Sequence, residues 1–204
     1  MKTEDTIAAY NKAAREYAQS RTGTEDMAEL EKFRKLLEHG SKVLDVGCAA
    51  GRDTRILKDM GLDVFGVDLA DKLIAIAKKS NPDITFALAD IRQLPFEDGA
   101  FDALWVSAVL HHLEKTGMQT ALREFNRVLA PHGILYVHTK AGSGKLKTNE
   151  DTVSGQEREF ELVIRKELET MLSEAGYSKI SLEEKVSKSR PGLTWINALY
   201  AKDA

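Results

Sequence analysis

The stretch VLDVGCAAGRD, residues 43–53, joins an apolar, β-branched run to a turn of small residues and the start of a helix. The run from Lys42 to Val46 is typical of a strand buried in a parallel sheet. Gly47 and Gly51 lack Cβ atoms, so a ligand could approach this turn closely, and exposed amide groups at the helix start would favour an anionic or polar ligand. Ligands of open α/β sheets bind at the carboxyl ends of strands. The stretch therefore predicts an α/β domain with a ligand site here.

Short β-branched runs alternate with helical segments after this stretch. Strands are predicted at residues 63–67, 84–88, 101–107 and 133–139, with helices at 69–79 and 118–129. This alternation predicts a three-layer α-β-α sandwich around a mostly parallel sheet. Two further strand-like runs, residues 177–186 and 193–201, are joined by turn-forming residues and predict a hairpin at the sheet edge.

The remaining segments complete one predicted domain, residues 1–204. Residues 1–40 form a helical cap with helices at 6–19 and 24–39, and residues 41–140 form the core. The second cap helix places its apolar residues on one face: Met27, Leu30, Phe33, Leu36 and Leu37. Residues 141–204 supply a polar loop over 141–157, a helix and the hairpin.

Composition excludes several classes of protein. The 204 residues are 43% hydrophobic and 30% charged, with 29 basic and 32 acidic side chains, so the net charge is −3. Such a chain folds and has no overall positive field for nucleic acid or anionic lipid. A run of lysines that includes Lys140 is interpreted as ordinary surface. Cys48 is the single cysteine, so neither a disulfide nor a metal site is expected.

The chain also lacks a long apolar run, and its first residues lack the apolar core of a secretory signal. The expectation is therefore a cytoplasmic protein without a membrane segment.

Three acidic residues follow successive predicted strands. Asp45, Asp68 and Asp90 are separated by 23 and 22 residues. Singly, each could cap a helix, but a carboxylate at such a position also accepts hydrogen bonds from a ribose diol. Together they predict one nucleoside-like ligand across the strand ends. The G-x-G-x-x-G pattern of dinucleotide enzymes is broken by Ala49 and Arg52, which weakens an NAD-linked reading.

Four segments carry a resemblance to the class I S-adenosylmethionine-dependent methyltransferases: LDVGCAAGRD (44–53), GVDLA (66–70), ADIRQLPFEDGAFDALWVSAVLHHL (89–113) and REFNRVLAPHGILYV (123–137). The resemblance implies a Rossmann-like fold with a seven-stranded sheet whose last strand is antiparallel. It also implies S-adenosyl-L-methionine as cofactor. The predicted terminal hairpin agrees with such a sheet.

The resemblance assigns roles position by position. It places Asp45, Gly47, Cys48, Ala49 and Gly51 around the methionine part, Asp68 and Leu69 at the ribose, Asp90 and Ile91 at the adenine, and Ser107 at a further contact. Ala49 departs from the family, which usually has a second glycine there. The family's N-terminal helix suggests a lid formed by Tyr10, Tyr17 and Arg21, and a simple core-facing stripe is the alternative.

A methyl group on a sulfonium is already activated, so the enzyme mainly aligns the nucleophile and excludes water. A base is needed only for a protonated nucleophile, and His111 and His112 are the candidates, with structural packing as the alternative. The leading hypothesis is methyl transfer to a small molecule by a monomer or homodimer. A tRNA-modifying enzyme and a non-catalytic, cofactor-binding sensor or partner subunit stay open as alternatives.

Overall fold

The computed structural model describes residues 3–20, 27–148, 158–187 and 192–204. Within them, seven strands form one sheet in the order β3-β2-β1-β4-β5-β9-β8, and two more form a small sheet, β6-β7. The strands are β1 Lys42–Val46, β2 Asp63–Asp68, β3 Thr85–Leu88, β4 Phe101–Ser107, β5 Leu129–Ala141, β6 Lys145–Thr148, β7 Arg158–Glu161, β8 Tyr177–Val186 and β9 Thr194–Lys202. β1 to β5 pair in parallel, and β9 runs antiparallel to both neighbours. The predicted seven-stranded sheet with an antiparallel last strand is confirmed.

Helices flank the large sheet. They are α1 Thr3–Lys12, α2 Ala14–Ser20, α3 Met27–Arg34, α4 Arg52–Asp59, α5 Asp71–Ser80, a 3₁₀ turn at Leu110–His112, α6 Lys115–Val128 and α7 Arg165–Glu174. No helix in the described ranges is long and apolar enough to cross a membrane.

The sheet has an apolar core on each face, because successive side chains of a strand point to opposite faces. Leu44 and Val46 of β1 pack in the larger core with side chains from α6 and α7. Val43 packs in the second core with Phe33 of α3 and Leu57 of α4. A strand with two buried faces explains the continuous apolar character of the stretch that begins at Val43.

The strand order fixes where a ligand binds. β2 and β3 lie on one side of β1, whereas β4 and β5 lie on the other. A crevice opens at the carboxyl ends of β1 and β4, where the strand order reverses. The turn that follows β1 lies at this crevice.

Three predicted segments differ from the structure. The loop predicted over residues 141–157 is wrong in part, because Lys145–Thr148 forms β6 and pairs with β7. The helix predicted over 24–39 ends at Arg34, and Leu36 beyond it is 43% exposed instead of packed on the sheet. The helix predicted over 6–19 is divided at Ala13 into α1 and α2, although the Tyr10 and Tyr17 rings still meet edge to face at 5.2 Å.

Candidate functional site

A cavity of about 550 Å³ lies at the carboxyl ends of the strands. Its floor comes from the turn after β1 and the ends of β2 and β4, and α1 and α2 cover it with Thr6, Ile7, Tyr10, Tyr17 and Ala18. Among the predicted site residues, the cavity is lined by Asp45, Gly47, Cys48, Ala49, Gly51, Asp68, Leu69, Ile91, Ser107 and His112. Most of the predicted cofactor residues thus meet at one cavity.

The turn after β1 is shaped for packing as well as for a ligand. Gly47 and Gly51 have φ values of +74° and +80°, the left-handed region that glycine tolerates. A Cβ atom on Gly47 would lie 2.6 Å from the Val109 side chain, and one on Gly51 would lie 2.9 Å from Phe86. Neighbouring side chains therefore occupy the space beside these glycines. The lack of a Cβ atom allows the left-handed backbone of the turn and the close packing of Val109 and Phe86 against it.

The amide donors of this turn are largely used inside the chain. The amides of Gly47 and Cys48 donate to the carbonyl of Val67, at 2.8 and 2.9 Å, and the amide of Gly51 donates to the carbonyl of Cys48. The amide of Ala49 donates to Asp68 at 3.0 Å. β2 and the turn itself therefore satisfy these four amides, whereas the amide groups expected to be open to a ligand lie at the start of α4, at Arg52, and their role stays a prediction.

Asp68 ends β2 and is held by backbone groups. Its two carboxylate oxygens accept hydrogen bonds from the amides of Ala49, at 3.0 Å, and Ala70, at 2.8 Å. Burial raises the pKa of this carboxyl, against the lowering effect of those amides. Each oxygen accepts a second hydrogen bond in principle, so hydroxyl donors from a ribose fit this carboxylate.

Asp45 lies on β1, and its side chain is completely enclosed. The Thr54 hydroxyl of α4 donates to its carboxylate at 2.5 Å. Burial, together with the negative charge of Asp53, raises the pKa of Asp45 to about 8. Asp53 in turn accepts hydrogen bonds from the Trp105 indole at 3.0 Å and from Arg52 at 2.7 Å. Asp53, which also lines the cavity, would stabilise a ligand that carries a positive charge, and such a ligand would in turn favour the ionised form of Asp45.

Asp90 lies apart from the cavity lining, whereas the next residue, Ile91, belongs to it. Its carboxylate forms a two-pronged ion pair with Arg92, with a shortest distance of 2.6 Å. The hydrogen bonds from Arg92 lower the pKa of Asp90 despite its partial burial. Its predicted role beside an adenine stays a prediction, and in the structure its partner is Arg92.

His112 connects the cavity to its cover. Its Nε2 lies 3.2 Å from the hydroxyl of Tyr10 in α1, and the Arg158 guanidinium of β7 donates to that hydroxyl at 3.2 Å. Burial and the charges of Lys140 and Arg158 lower the pKa of His112 to about 3. The predicted lid residues Tyr10 and Tyr17 line the cavity, and Arg21 lies outside the described residues.

His111 is buried next to His112 and does not line the cavity. Its Nε2 is 3.1 Å from the Lys140 ammonium and its Nδ1 is 3.4 Å from the Thr139 hydroxyl. Burial, followed by the charge of Lys140, lowers the pKa of His111 well below its ordinary value. Lys140 itself is only 5% exposed and lies 3.9 Å from the Phe160 ring centre and 4.4 Å from that of Trp195.

The interpretation of Lys140 as ordinary surface is therefore wrong. Lys140 is the penultimate residue of β5, where the pairing with β9 turns its side chain toward Trp195. The sequence reasoning also missed Arg158, Phe160 and Asp53. Of these, only Asp53 could have been found from the sequence, since it closely follows the glycine-rich turn. Arg158 and Phe160 belong to β7, which is far from the other site residues in sequence.

Cys48 lines the cavity with a buried thiol, whose pKa burial raises well above its ordinary value. A protonated thiol is a poor nucleophile and a poor metal ligand. Across the described ranges, no group of three or more His, Cys, Asp or Glu side chains is arranged to hold a metal ion.

Comparison with known proteins gives matches over this same region. A family model described as a methyltransferase domain matches residues 44–137. A demethylmenaquinone methyltransferase from Renibacterium salmoninarum is 37% identical over 98 residues, covering 48% of this chain and 40% of that protein. A malonyl-(acyl-carrier protein) O-methyltransferase from Erwinia pyrifoliae is 32% identical over 146 residues, covering 68% of this chain and 52% of that protein. The chain thus spans about half the length of the curated relatives it matches.

The fold is also similar to that of a solved methyltransferase structure. The 1,6-didemethyltoxoflavin N1-methyltransferase from Burkholderia thailandensis, solved with its substrate and S-adenosylhomocysteine, superposes with a TM-score of 0.72. The match covers 100% of this chain and 92% of that chain at 20% sequence identity. At this identity the likeness establishes the fold.

Proposed function

We propose that this chain, which belongs to the class I S-adenosylmethionine-dependent methyltransferases, transfers a methyl group to a small-molecule acceptor. One observation carries the proposal: a single cavity under α1 is lined by residues at or just beyond the ends of the four strands β1 to β4, namely Asp45, Asp68, Ile91 and Ser107. Methyl transfer shielded from water needs a cavity that contains the residues predicted to bind the cofactor and that is covered by another element, here α1.

The residues present fit the cofactor. Asp68 offers two carboxylate oxygens to the ribose hydroxyls, since backbone amides leave each oxygen able to accept another hydrogen bond. Asp53 favours the positively charged amino group of the methionine part, and that positive charge favours the ionised form of Asp45 beside it. Ile91 offers an apolar surface to the adenine, and Asp90 is assigned to its amino group by resemblance. When bound, S-adenosylmethionine supplies a methyl group already activated for in-line displacement.

The cover over the cavity supports a small acceptor. Thr6, Ile7 and Tyr10 of α1 line the cavity, and the Tyr10 hydroxyl contacts His112. A covered cavity admits a small molecule or a slender group more readily than a folded nucleic acid. The relatives described above are named for a menaquinone precursor and for a malonyl group. No feature of the described residues favours the tRNA-modifying or the non-catalytic alternative, and a cytoplasmic location stays a prediction.

Acceptor-dependent release of S-adenosylhomocysteine tests this function. The purified chain and an Asp68→Asn variant are incubated with S-adenosylmethionine and separate panels of hydroquinones, phenols, malonyl thioesters and bulk tRNA. We expect turnover with at least one small molecule, none with tRNA, and a loss in the variant. Tight cofactor binding without turnover in any panel would contradict the proposal, and turnover with tRNA alone would replace it.

A further inference from the structure

The imidazole of His112 contains a buried polar atom that the chain leaves unsatisfied. His112 lines the cavity, and its Nδ1 is buried without a hydrogen-bond partner in the part of the chain that the structure describes. Buried polar atoms in folded proteins are nearly always paired. A ligand of the cavity is therefore the natural partner, and its chemistry depends on whether Nδ1 carries a proton.

The hydrogen bonds around Tyr10 decide where that proton resides. A guanidinium only donates, so the Tyr10 oxygen accepts from Arg158 at 3.2 Å. Among the residues that the structure describes, the one other polar contact of this hydroxyl is Nε2 of His112, also at 3.2 Å. If Nε2 carried a proton, the Tyr10 proton would lack an acceptor. The satisfied arrangement has Arg158 donating to Tyr10 and Tyr10 donating to an unprotonated Nε2.

The ring itself stays neutral, so its single proton belongs to Nδ1. Burial lowers the pKa of His112 to about 3, and the positive charges of Lys140 on β5 and Arg158 on β7 act in the same direction. The neighbouring His111 has a lowered pKa too and adds no charge. Burial raises the pKa of Tyr10 above its ordinary value, so the Tyr10 hydroxyl keeps its proton. A neutral imidazole with a lone pair on Nε2 is protonated at Nδ1.

We propose that His112 is a fixed Nδ1–H donor that orients an electron-rich oxygen of the methyl acceptor, with Tyr10 and Arg158 as its positioning residues. This rests on the proposed function. In the sheet, β2 and β4 flank β1 on opposite sides, and His112 follows β4 whereas Asp68 ends β2, so we assign the partner of Nδ1 to the acceptor and not to the ribose. The positive charges that depress its ionisation also favour an oxygen that bears negative charge, such as that of a phenolate or carboxylate.

The same arrangement argues against His112 as the general base. A base needs a free lone pair, and the lone pair on Nε2 is occupied by Tyr10 while Nδ1 has none. His111 does not line the cavity and contacts Lys140 and Thr139 instead. The acceptor that fits such a site therefore reaches the cavity already deprotonated, or loses its proton to another group.

Nitrogen NMR of the histidine rings tests the tautomer without any knowledge of the acceptor. Long-range ¹H–¹⁵N correlation spectra of the full chain are recorded between pH 5 and pH 8, with and without S-adenosylhomocysteine, and His112→Gln assigns the signals. We expect a neutral ring with protonated Nδ1 and unprotonated Nε2 throughout. In Tyr10→Phe, which keeps the ring packing, we expect the proton to redistribute toward Nε2. A ring protonated at Nε2 in the wild type, or one that titrates near its ordinary pKa, would overturn the proposal.

Kinetics with an acceptor found in the screen tests the contact with substrate. The asparagine amide takes roughly the place of Nδ1, whereas the glutamine amide reaches the place of Nε2. We expect KM for the acceptor to rise about tenfold in His112→Gln and to change less in His112→Asn, the size expected for one hydrogen bond. An acidic limb in the wild-type kcat profile that both variants abolish would show a base and overturn the proposal. Failure to find any acceptor affects the proposed function only, because the NMR result stands independently.

Discussion

Replacement of Asp45 by asparagine is expected to change how stability depends on pH. The carboxyl of Asp45 is enclosed, accepts a hydrogen bond from Thr54 and lies beside the charge of Asp53, so its pKa rises from 3.8 to about 8. Asparagine has nearly the same shape and still accepts the hydrogen bond from Thr54. It does not titrate, however, so the variant isolates the effect of this one carboxyl.

The sign follows from the protons bound in each state. Between pH 5 and pH 7 the folded protein holds a proton on Asp45 that the unfolded chain has lost, so the free energy of unfolding falls as pH rises. One such proton corresponds to a slope of about 1.4 kcal/mol per pH unit. The stability of Asp45→Asn relative to wild type should therefore increase by about 2.6 kcal/mol from pH 5 to pH 7.

Urea unfolding at pH 5, 6 and 7 measures this difference. Asp59→Asn is a matched control, because the Asp59 side chain is 68% exposed and its ion pair with Arg55 is on the surface. The control should follow the wild-type pH dependence. If Asp45→Asn also runs parallel to wild type, the Asp45 carboxyl ionises normally and the reasoning about its burial is refuted.

Three substitutions test the turn and its support. Ala49 has a φ of +49°, so Ala49→Gly should stabilise the protein by about 0.5 kcal/mol in urea unfolding, and a loss would contradict the left-handed turn. Gly47→Ala would place a methyl group 2.6 Å from the Val109 side chain and should lower the free energy of unfolding by about 2 kcal/mol. The second substitution Val109→Ala should restore part of this stability, and no restoration would show that backbone strain alone is responsible. Trp105→Phe removes the indole donor to Asp53 and should destabilise by about 2 kcal/mol by the same assay, whereas unchanged stability would show that this hydrogen bond contributes nothing.

The sheet was predictable because the residues that identify its strands are close together in the sequence. The apolar run of β1, the small-residue turn and Asp68 at the end of β2 follow one another at short range, and the structure places them around one cavity. Cavity-lining residues such as Gly47 and Ile91 could be predicted for the same reason, because the position of a residue at or near a strand end is visible in the local sequence.

Features that depend on contacts between distant segments were not predictable. Lys140 belongs to a polar stretch that suggests a surface, but β5 carries its side chain between Phe160 and Trp195. Arg158 lies on β7, which pairs with β6, and it contacts Tyr10, 148 residues earlier in the chain. Asp90 is a different case, because its observed partner Arg92 is only two residues away, and Asp90 does not line the cavity.

The central claim is that Asp68 anchors an adenosyl cofactor in this cavity. Calorimetric titration of the wild type and Asp68→Asn with S-adenosylhomocysteine, and with NAD in parallel, tests it most directly. We predict micromolar binding of S-adenosylhomocysteine, about −8 kcal/mol, to the wild type, at least tenfold weaker binding to the folded variant, and no binding of NAD. Equal affinity of the two proteins for S-adenosylhomocysteine, or a preference for NAD, would contradict the claim.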